Sequence, residues 1–205
     1  MGVIIGKEHL ELLKIVEKSD MSLFYGIAGA GKTTLLLTMA RYFCKQKGPC
    51  LYVSTEETLH YEKVSRFAEE YQETLFTEIY DLDKLVELSF FLGLLNFKIV
   101  FIDSINSLYR VVAYQEAALP KFSFLMGLMK YLAHKGVLKV LASAQVRAGD
   151  EDIEASGMSL LDYYFDIIFQ VGLEEGKRFL KLVKPMHKKP VVGYFEISDK
   201  GVEWV

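Results

Sequence analysis

The sequence predicts an α/β fold in which a mostly parallel, twisted sheet carries helices on both faces and ends in an antiparallel extension. Three observations predict it. Apolar strand-like runs alternate with helical stretches early in the chain, short strand-like runs cluster late, and a glycine-rich turn joins the first central strand to a helix. With 205 residues and 51% hydrophobic content, the chain is expected to fold as one domain over 1–205 around a continuous core.

Lys7 to Lys18 sets leucines, Ile15 and Val16 among charges, the pattern of an amphipathic helix that feeds the strand Ser22 to Tyr25. A helix follows from Gly31 to Gln46, and Gly48-Pro49 stops it before the buried-type strand Cys50 to Ser54. The charged segment Thr58 to Tyr71 reads as helix and Leu75 to Tyr80 as strand, while Asp81 caps a leucine-rich helix ending near Asn96. That helix, with Phe90, Phe91, Leu94 and Leu95, is more apolar than one buried face requires, and core packing is its expected use ahead of a protein interface. Next come the strand Lys98 to Asp103, the helix Leu119 to His134, the strand Val137 to Ser143 and a polar acidic loop from Ala148 to Ser156. Asp166 to Val171, Phe179 to Val183, Val191 to Ile197 and Val202 to Val205 are short strands separated by Gly- and Pro-containing turns.

Composition removes several function classes. A net charge of −3 supplies no field for a nucleic acid, so any such contact needs a local basic patch. Cys44 and Cys50 are the only cysteines and the four histidines are scattered, which leaves no zinc set and suits a reducing cytoplasm. No apolar stretch has membrane-spanning length and the first residues lack a signal-peptide pattern, so a cytoplasmic location without membrane contact is expected.

Gly26-Ile27-Ala28-Gly29-Ala30-Gly31-Lys32-Thr33 follows the first strand and opens a helix, the context of a phosphate-binding P-loop. Glycines admit left-handed torsions and close backbone approach, so successive N–H groups can curl around phosphate oxygens where the helix dipole also favours negative charge. Gly26, Gly29, Ala30, Gly31, Lys32, Thr33 and Thr34 are the candidate ATP-binding residues, with Lys32 reaching the β- and γ-phosphates and the Thr33 hydroxyl on Mg2+.

Asp103 ends an apolar strand and is the second candidate Mg2+ residue, acting through bound water. Glu56 and Glu57 follow the strand ending at Ser54, at the same C-terminal sheet edge, and Glu56 is the expected catalytic base. Gln145, just beyond the strand through Ser143, can bond the γ-phosphate or the water. Arg110 and Arg147 also lie just beyond strands that face the loop, within reach of phosphate or DNA, though solvation is the expected state.

Taken in order, Gly26 to Thr33, Thr55-Glu56, Ile102-Asp103-Ser104 and Ser143-Ala144-Gln145-Val146 resemble the ATPase core of RecA-type recombinases, nearest the short archaeal RadA/RadB-like paralogues. Asp103 to Arg110, Gly157 to Leu161, Leu182 to Pro185 and Ser198 to Val202 extend the similarity over nearly the whole chain. The resemblance implies a RecA-like P-loop NTPase core that uses ATP and Mg2+, with Glu56 as base and Gln145 sensing the γ-phosphate. It implies a role in DNA recombination or repair beside a recombinase partner or as a homo-oligomer. The segment before Gly26 is short, so a bare core is expected. The two segments that contact single-stranded DNA in that family correspond to Val111 to Phe124, with Lys121 as its one cation, and to the acidic loop Ala148 to Ser156. Autonomous strand exchange is therefore not expected, and ATP turnover is expected to be weak.

Positive charge gathers instead at Lys177, Arg178, Lys181, Lys184, Lys188 and Lys189. This stripe is the candidate contact for single-stranded or branched DNA, against the plainer use of lysines to guard an edge hairpin. By the family resemblance, Lys184, His187 and Lys188 are alternatively placed to reach a neighbouring subunit's nucleotide. The competing reading is a KaiC-like signalling or structural ATPase that acts through protein partners without DNA. No Arg-rich lid region follows the first half of the chain, which disfavours a nucleoside kinase.

Overall fold

The computed structural model describes residues 7–56, 61–146, 157–185 and 192–205. The elements are α1 (Lys7–Lys18), β1 (Met21–Gly26), α2 (Lys32–Lys47), β2 (Cys50–Ser54), α3 (Tyr61–Arg66), a 3-10 turn (Ala68–Tyr71), β3 (Thr74–Glu78) and α4 (Leu82–Leu92). They continue with β4 (Ile99–Asp103), α5 (Ser107–Val112), α6 (Ala118–His134), β5 (Lys139–Gln145), α7 (Met158–Tyr164), β6 (Ile167–Glu174), β7 (Lys177–Lys184), β8 (Val192–Ser198) and β9 (Gly201–Trp204). Among the described residues one nine-stranded sheet runs in the order β3-β2-β4-β5-β1-β6-β7-β8-β9. From β3 to β6 neighbouring strands are parallel, and β6 through β9 form the antiparallel extension.

Strands β1, β2 and β4 are buried along their whole length because helices cover both faces. Their alternating side chains feed two layers. Leu23, Val53, Ile102 and Ala142 point toward Leu85 of α4 and Phe122, Met126 and Met129 of α6. Phe24, Tyr52, Phe101 and Leu141 point the other way, toward Leu35, Leu36 and Ala40 of α2.

Asp81 caps α4 as expected, its side chain accepting from the N–H groups of Asp83 and Lys84. The helix stops at Leu92 rather than near Asn96. Only Leu82, Leu85, Ser89 and Leu92 of it are buried; Phe90, Phe91, Leu94 and Leu95 stand exposed, with Phe90 against Phe124 of α6. Core packing thus accounts for one face of this segment and leaves the other uncovered. The helix expected from Thr58 is shorter where it is described, and α5 and α7 arise in stretches to which the sequence pattern assigned no element. Both are six or seven residues long, too short to carry a clear helical period.

The cysteines depart from the expectation drawn from a reducing compartment. Cys44 in the last turns of α2 and Cys50 at the start of β2 are joined as a disulfide, with Cα atoms 5.6 Å apart. The chain reverses through Gly48, whose φ of 100° is left-handed, and that reversal brings the two together. Among the described residues no helix is long and apolar enough to cross a membrane.

Candidate functional site

The carboxyl ends of β1, β2, β4 and β5 lie side by side, with Gly26 opposite Gln145 and Ser54 opposite Asp103. The candidate residues from four distant parts of the sequence therefore gather at one sheet edge, where open α/β sheets bind ligands. The loop between β1 and α2 is held by constraints at both ends. A Cβ on Gly26 would lie 1.9 Å from the Val171 carbonyl oxygen, so only glycine lets β1 end against β6. Gly29 and Gly31 have φ of 77° and 105°, and Ala30 between them is fully buried.

Lys32 begins α2 and folds back over the loop, its Nζ donating to the carbonyls of Gly26 at 2.9 Å and Ile27 at 2.8 Å. Burial lowers its pKa, while the negative charges of Asp103 and Glu56 oppose that shift. Thr33 and Thr34 follow in the first turn, both half-buried.

Asp103 is buried and accepts hydrogen bonds on both oxygens: from the Tyr52 hydroxyl at 3.0 Å and from the Ser143 hydroxyl. Burial, then the adjoining carboxylate, drives the Tyr52 pKa well above that of an ordinary tyrosine, so the phenol stays protonated and donating. Glu56 sits at the head of the neighbouring strand's loop, and the Ser104 hydroxyl donates to its Oε1 at 2.9 Å. Thr55 ties the two strand ends together: its Oγ1 accepts from the Ser104 N–H at 2.8 Å and donates to the Ser104 carbonyl at 2.6 Å.

Gln145 is positioned by a buried asparagine. Asn106 Oδ1 accepts from the Gln145 N–H and its Nδ2 donates to the Gln145 carbonyl, each at 3.0 Å. Arg110 of α5 donates to Gln145 Oε1 at 3.1 Å, so this arginine is paired rather than merely solvated. Sequence reading missed Tyr52, Thr55, Ser104 and Asn106 as members of the cluster. Polar residues directly after an apolar strand were the available signal for the last three, whereas Tyr52 is indistinguishable by pattern from an apolar core residue.

The described residues of the basic group, Lys177, Arg178, Lys181 and Lys184, do not form one stripe. On β7, Leu180 and Leu182 pack in the α2 layer, and Arg178, two residues earlier, points the same way toward the loop at Gly31. Phe179 lies on the opposite face, its ring 2.4 Å from where a Cβ on Gly172 would stand, and alternation puts Lys177 and Lys181 there with it. Lys184 Nζ donates to the Asp162 carbonyl. In the first candidate DNA segment, Lys121 is paired with Asp83 of α4 at 2.6 Å. Glu57, Arg147, the acidic loop 148–156, His187, Lys188 and Lys189 lie outside the described residues.

The sheet order, the glycine turn closing β1 and the carboxylate ending β4 define a RecA-like P-loop core. A solved RadB recombinase has this fold, with a TM-score of 0.74, 22% identity and 90% of each chain covered. A KaiC-like protein from Pyrococcus horikoshii OT3 has it as well, with a TM-score of 0.67, 16% identity and coverage of 91% of this chain and 89% of that one. In sequence the chain is 28% identical over 206 residues to the DNA repair and recombination protein RadB of Methanocaldococcus jannaschii, covering 94% of this chain and 96% of that protein. RadB of Methanobrevibacter smithii is 25% identical over 209 residues, covering 91% of this chain and 88% of its own. The resemblance to archaeal RadA/RadB-like paralogues is borne out by these relatives. No protein-family model matches the chain.

Proposed function

We propose that this chain is a single RecA-like core that binds Mg-ATP and serves as an accessory or regulatory recombinase paralogue in DNA recombination and repair. It hydrolyses ATP weakly and performs no strand exchange alone. The observation that carries the reading is that Lys32, folded back onto the Gly26 and Ile27 carbonyls behind a turn held left-handed at Gly29 and Gly31, shares one sheet edge with Asp103 and with the loop that carries Glu56. The names of the relatives, DNA repair and recombination proteins, support the process.

In this reading Lys32 exchanges its two carbonyl acceptors for β- and γ-phosphate oxygens, and the charge it meets there offsets its burial. Backbone N–H groups of Gly29 to Thr34 cradle the phosphates. Mg2+ fits the donor set of the Thr33 hydroxyl and Asp103. Because both Asp103 oxygens already accept from hydroxyls, that carboxylate suits a water-mediated contact. The bound cation would neutralise charge on the phosphates. Glu56, steadied by Ser104, takes a proton from the attacking water, and Gln145 bonds the γ-phosphate or that water.

Calorimetry with Lys32→Ala and turnover with Glu56→Gln test the reading. Lys32→Ala should abolish or strongly weaken ATP binding, and Glu56→Gln should keep binding while lowering turnover about a hundredfold. Unchanged ATP affinity in Lys32→Ala removes the P-loop argument.

The KaiC-like signalling reading keeps the same nucleotide site and replaces DNA by protein partners. The pairing of Lys121 with Asp83 and the division of the β7 cations between two faces favour it. Binding to labelled single-stranded DNA across a salt series separates the two, since several phosphate contacts impose a steep loss with salt.

A further inference from the structure

Arg178 belongs to the candidate DNA stripe by sequence, yet its surroundings are those of the phosphate loop. It lies on β7, where Leu180 and Leu182 on the same face pack into the α2 layer. At Gly31, the last glycine before Lys32, a Cβ would come within 2.9 Å of Ile197, 3.3 Å of Phe195 and 3.5 Å of the Arg178 Cδ. The antiparallel extension therefore covers the loop with two apolar side chains and one guanidinium stem.

Among the described residues Arg178 has no carboxylate partner, and its buried Nε has no hydrogen-bond partner. A guanidinium cannot shed its charge and presents five donors in a rigid fork. Burying such a donor unpaired is unfavourable unless an acceptor arrives. Among the described residues the other two cations at this edge are already engaged, Lys32 by two carbonyls and Arg110 by Gln145.

Resting on the P-loop reading above, we infer that Arg178 is a nucleotide-binding residue, a second cation contributed in cis from β7 to the phosphates held at Gly31 and Lys32. It takes no part in DNA contact. The extension then does more than lengthen the sheet, because it completes the anion site from the side opposite Asp103 and Glu56. Lys177 and Lys181, directed to the other face, remain available for a partner or DNA.

The test compares Arg178→Met, which keeps an unbranched stem without charge, with Lys181→Met, three residues along β7 and on its opposite face. Titration of Mg-ATP into each by calorimetry should show Arg178→Met weakened about tenfold or more and Lys181→Met unchanged. Single-stranded DNA affinity, where the wild type has any, should be unaffected by Arg178→Met. Wild-type ATP affinity in a folded Arg178→Met overturns the inference, as does a loss confined to DNA.

A second measurement needs no variant. Arginine-specific dicarbonyl labelling of the wild type, mapped by peptide mass, should show Mg-ATP protecting Arg178, and labelling unaltered by saturating Mg-ATP overturns the inference. If the wild type fails to bind ATP, or Lys32→Ala binds it normally, the P-loop reading falls and this one with it. If both behave as expected and Arg178→Met is neutral, only the role of Arg178 falls.

Discussion

Replacing Asp103 by alanine removes the acceptor on which two hydroxyls from neighbouring strands converge. Tyr52 donates from β2 at 3.0 Å, and Ser143 donates from β5. Hydrogen bonds to a charged group contribute about 1.5–3 kcal/mol each, so the two lost bonds amount to roughly 3–6 kcal/mol. Relief from burying a carboxylate offsets part of that, leaving an expected destabilisation of about 3 kcal/mol. Asp103→Asn keeps the shape and one acceptor oxygen but turns an amide donor toward the second hydroxyl, so about 1–2 kcal/mol is expected.

The diagnostic quantity is the coupling with Tyr52→Phe. Alone, that variant should cost about 1–2 kcal/mol; in the Asp103→Ala background it should cost at least about 1 kcal/mol less. Urea unfolding followed by circular dichroism, without nucleotide, on wild type, both single variants and the double variant gives the cycle. A coupling below about 0.5 kcal/mol, or a Tyr52→Phe variant as stable as wild type, would refute the idea that this carboxylate holds the β2, β4 and β5 ends together.

Gly26→Ala would drive a Cβ to 1.9 Å from the Val171 carbonyl oxygen, and parting β1 from β6 should cost about 3 kcal/mol or more, lowering Tm by roughly 6–12 °C in a thermal melt. Asn106→Ala deletes both bonds to the Gln145 main chain and should cost about 2–3 kcal/mol by urea unfolding, with ATP turnover falling more than ATP affinity. Burial raises the Tyr71 pKa to about 12 from an ordinary value near 10, with Arg41 partly opposing. The unfolded chain thus releases this proton first as pH rises. Stability held below pH 10 is lost between about pH 10 and 12, by roughly 2–3 kcal/mol. Tyr71→Phe should flatten that alkaline loss when unfolding is compared at pH 9 and pH 11; an identical slope in both proteins would count against the buried phenol as its source.

The strand-and-helix alternation and the glycine turn were legible from residue order because each is a local signal: apolar runs of strand length, a Gly-Pro helix stop at Gly48, an aspartate cap at Asp81. The position of Asp103, Glu56 and Gln145 at one edge was legible for the same reason, since each stands at or just beyond the end of a strand-like run and parallel strands put all such ends together.

Contacts between residues far apart in the chain had no local signature. Tyr52 serves Asp103 from 51 positions away, and Asn106 grips Gln145 from 39. The pairing of Cys44 with Cys50 depended on the path of the turn between α2 and β2. The fate of the β7 cations was a matter of strand phase: a period of two divides neighbours between opposite faces, and only the packed position of Leu180 and Leu182 against α2 decided which face turned toward the loop. The amino-acid order by itself determined which residues stand at the carboxyl ends of strands. Tertiary packing decided which of them touch, because hydrogen bonds and burial are set by distance in space and a sequence records only distance along the chain.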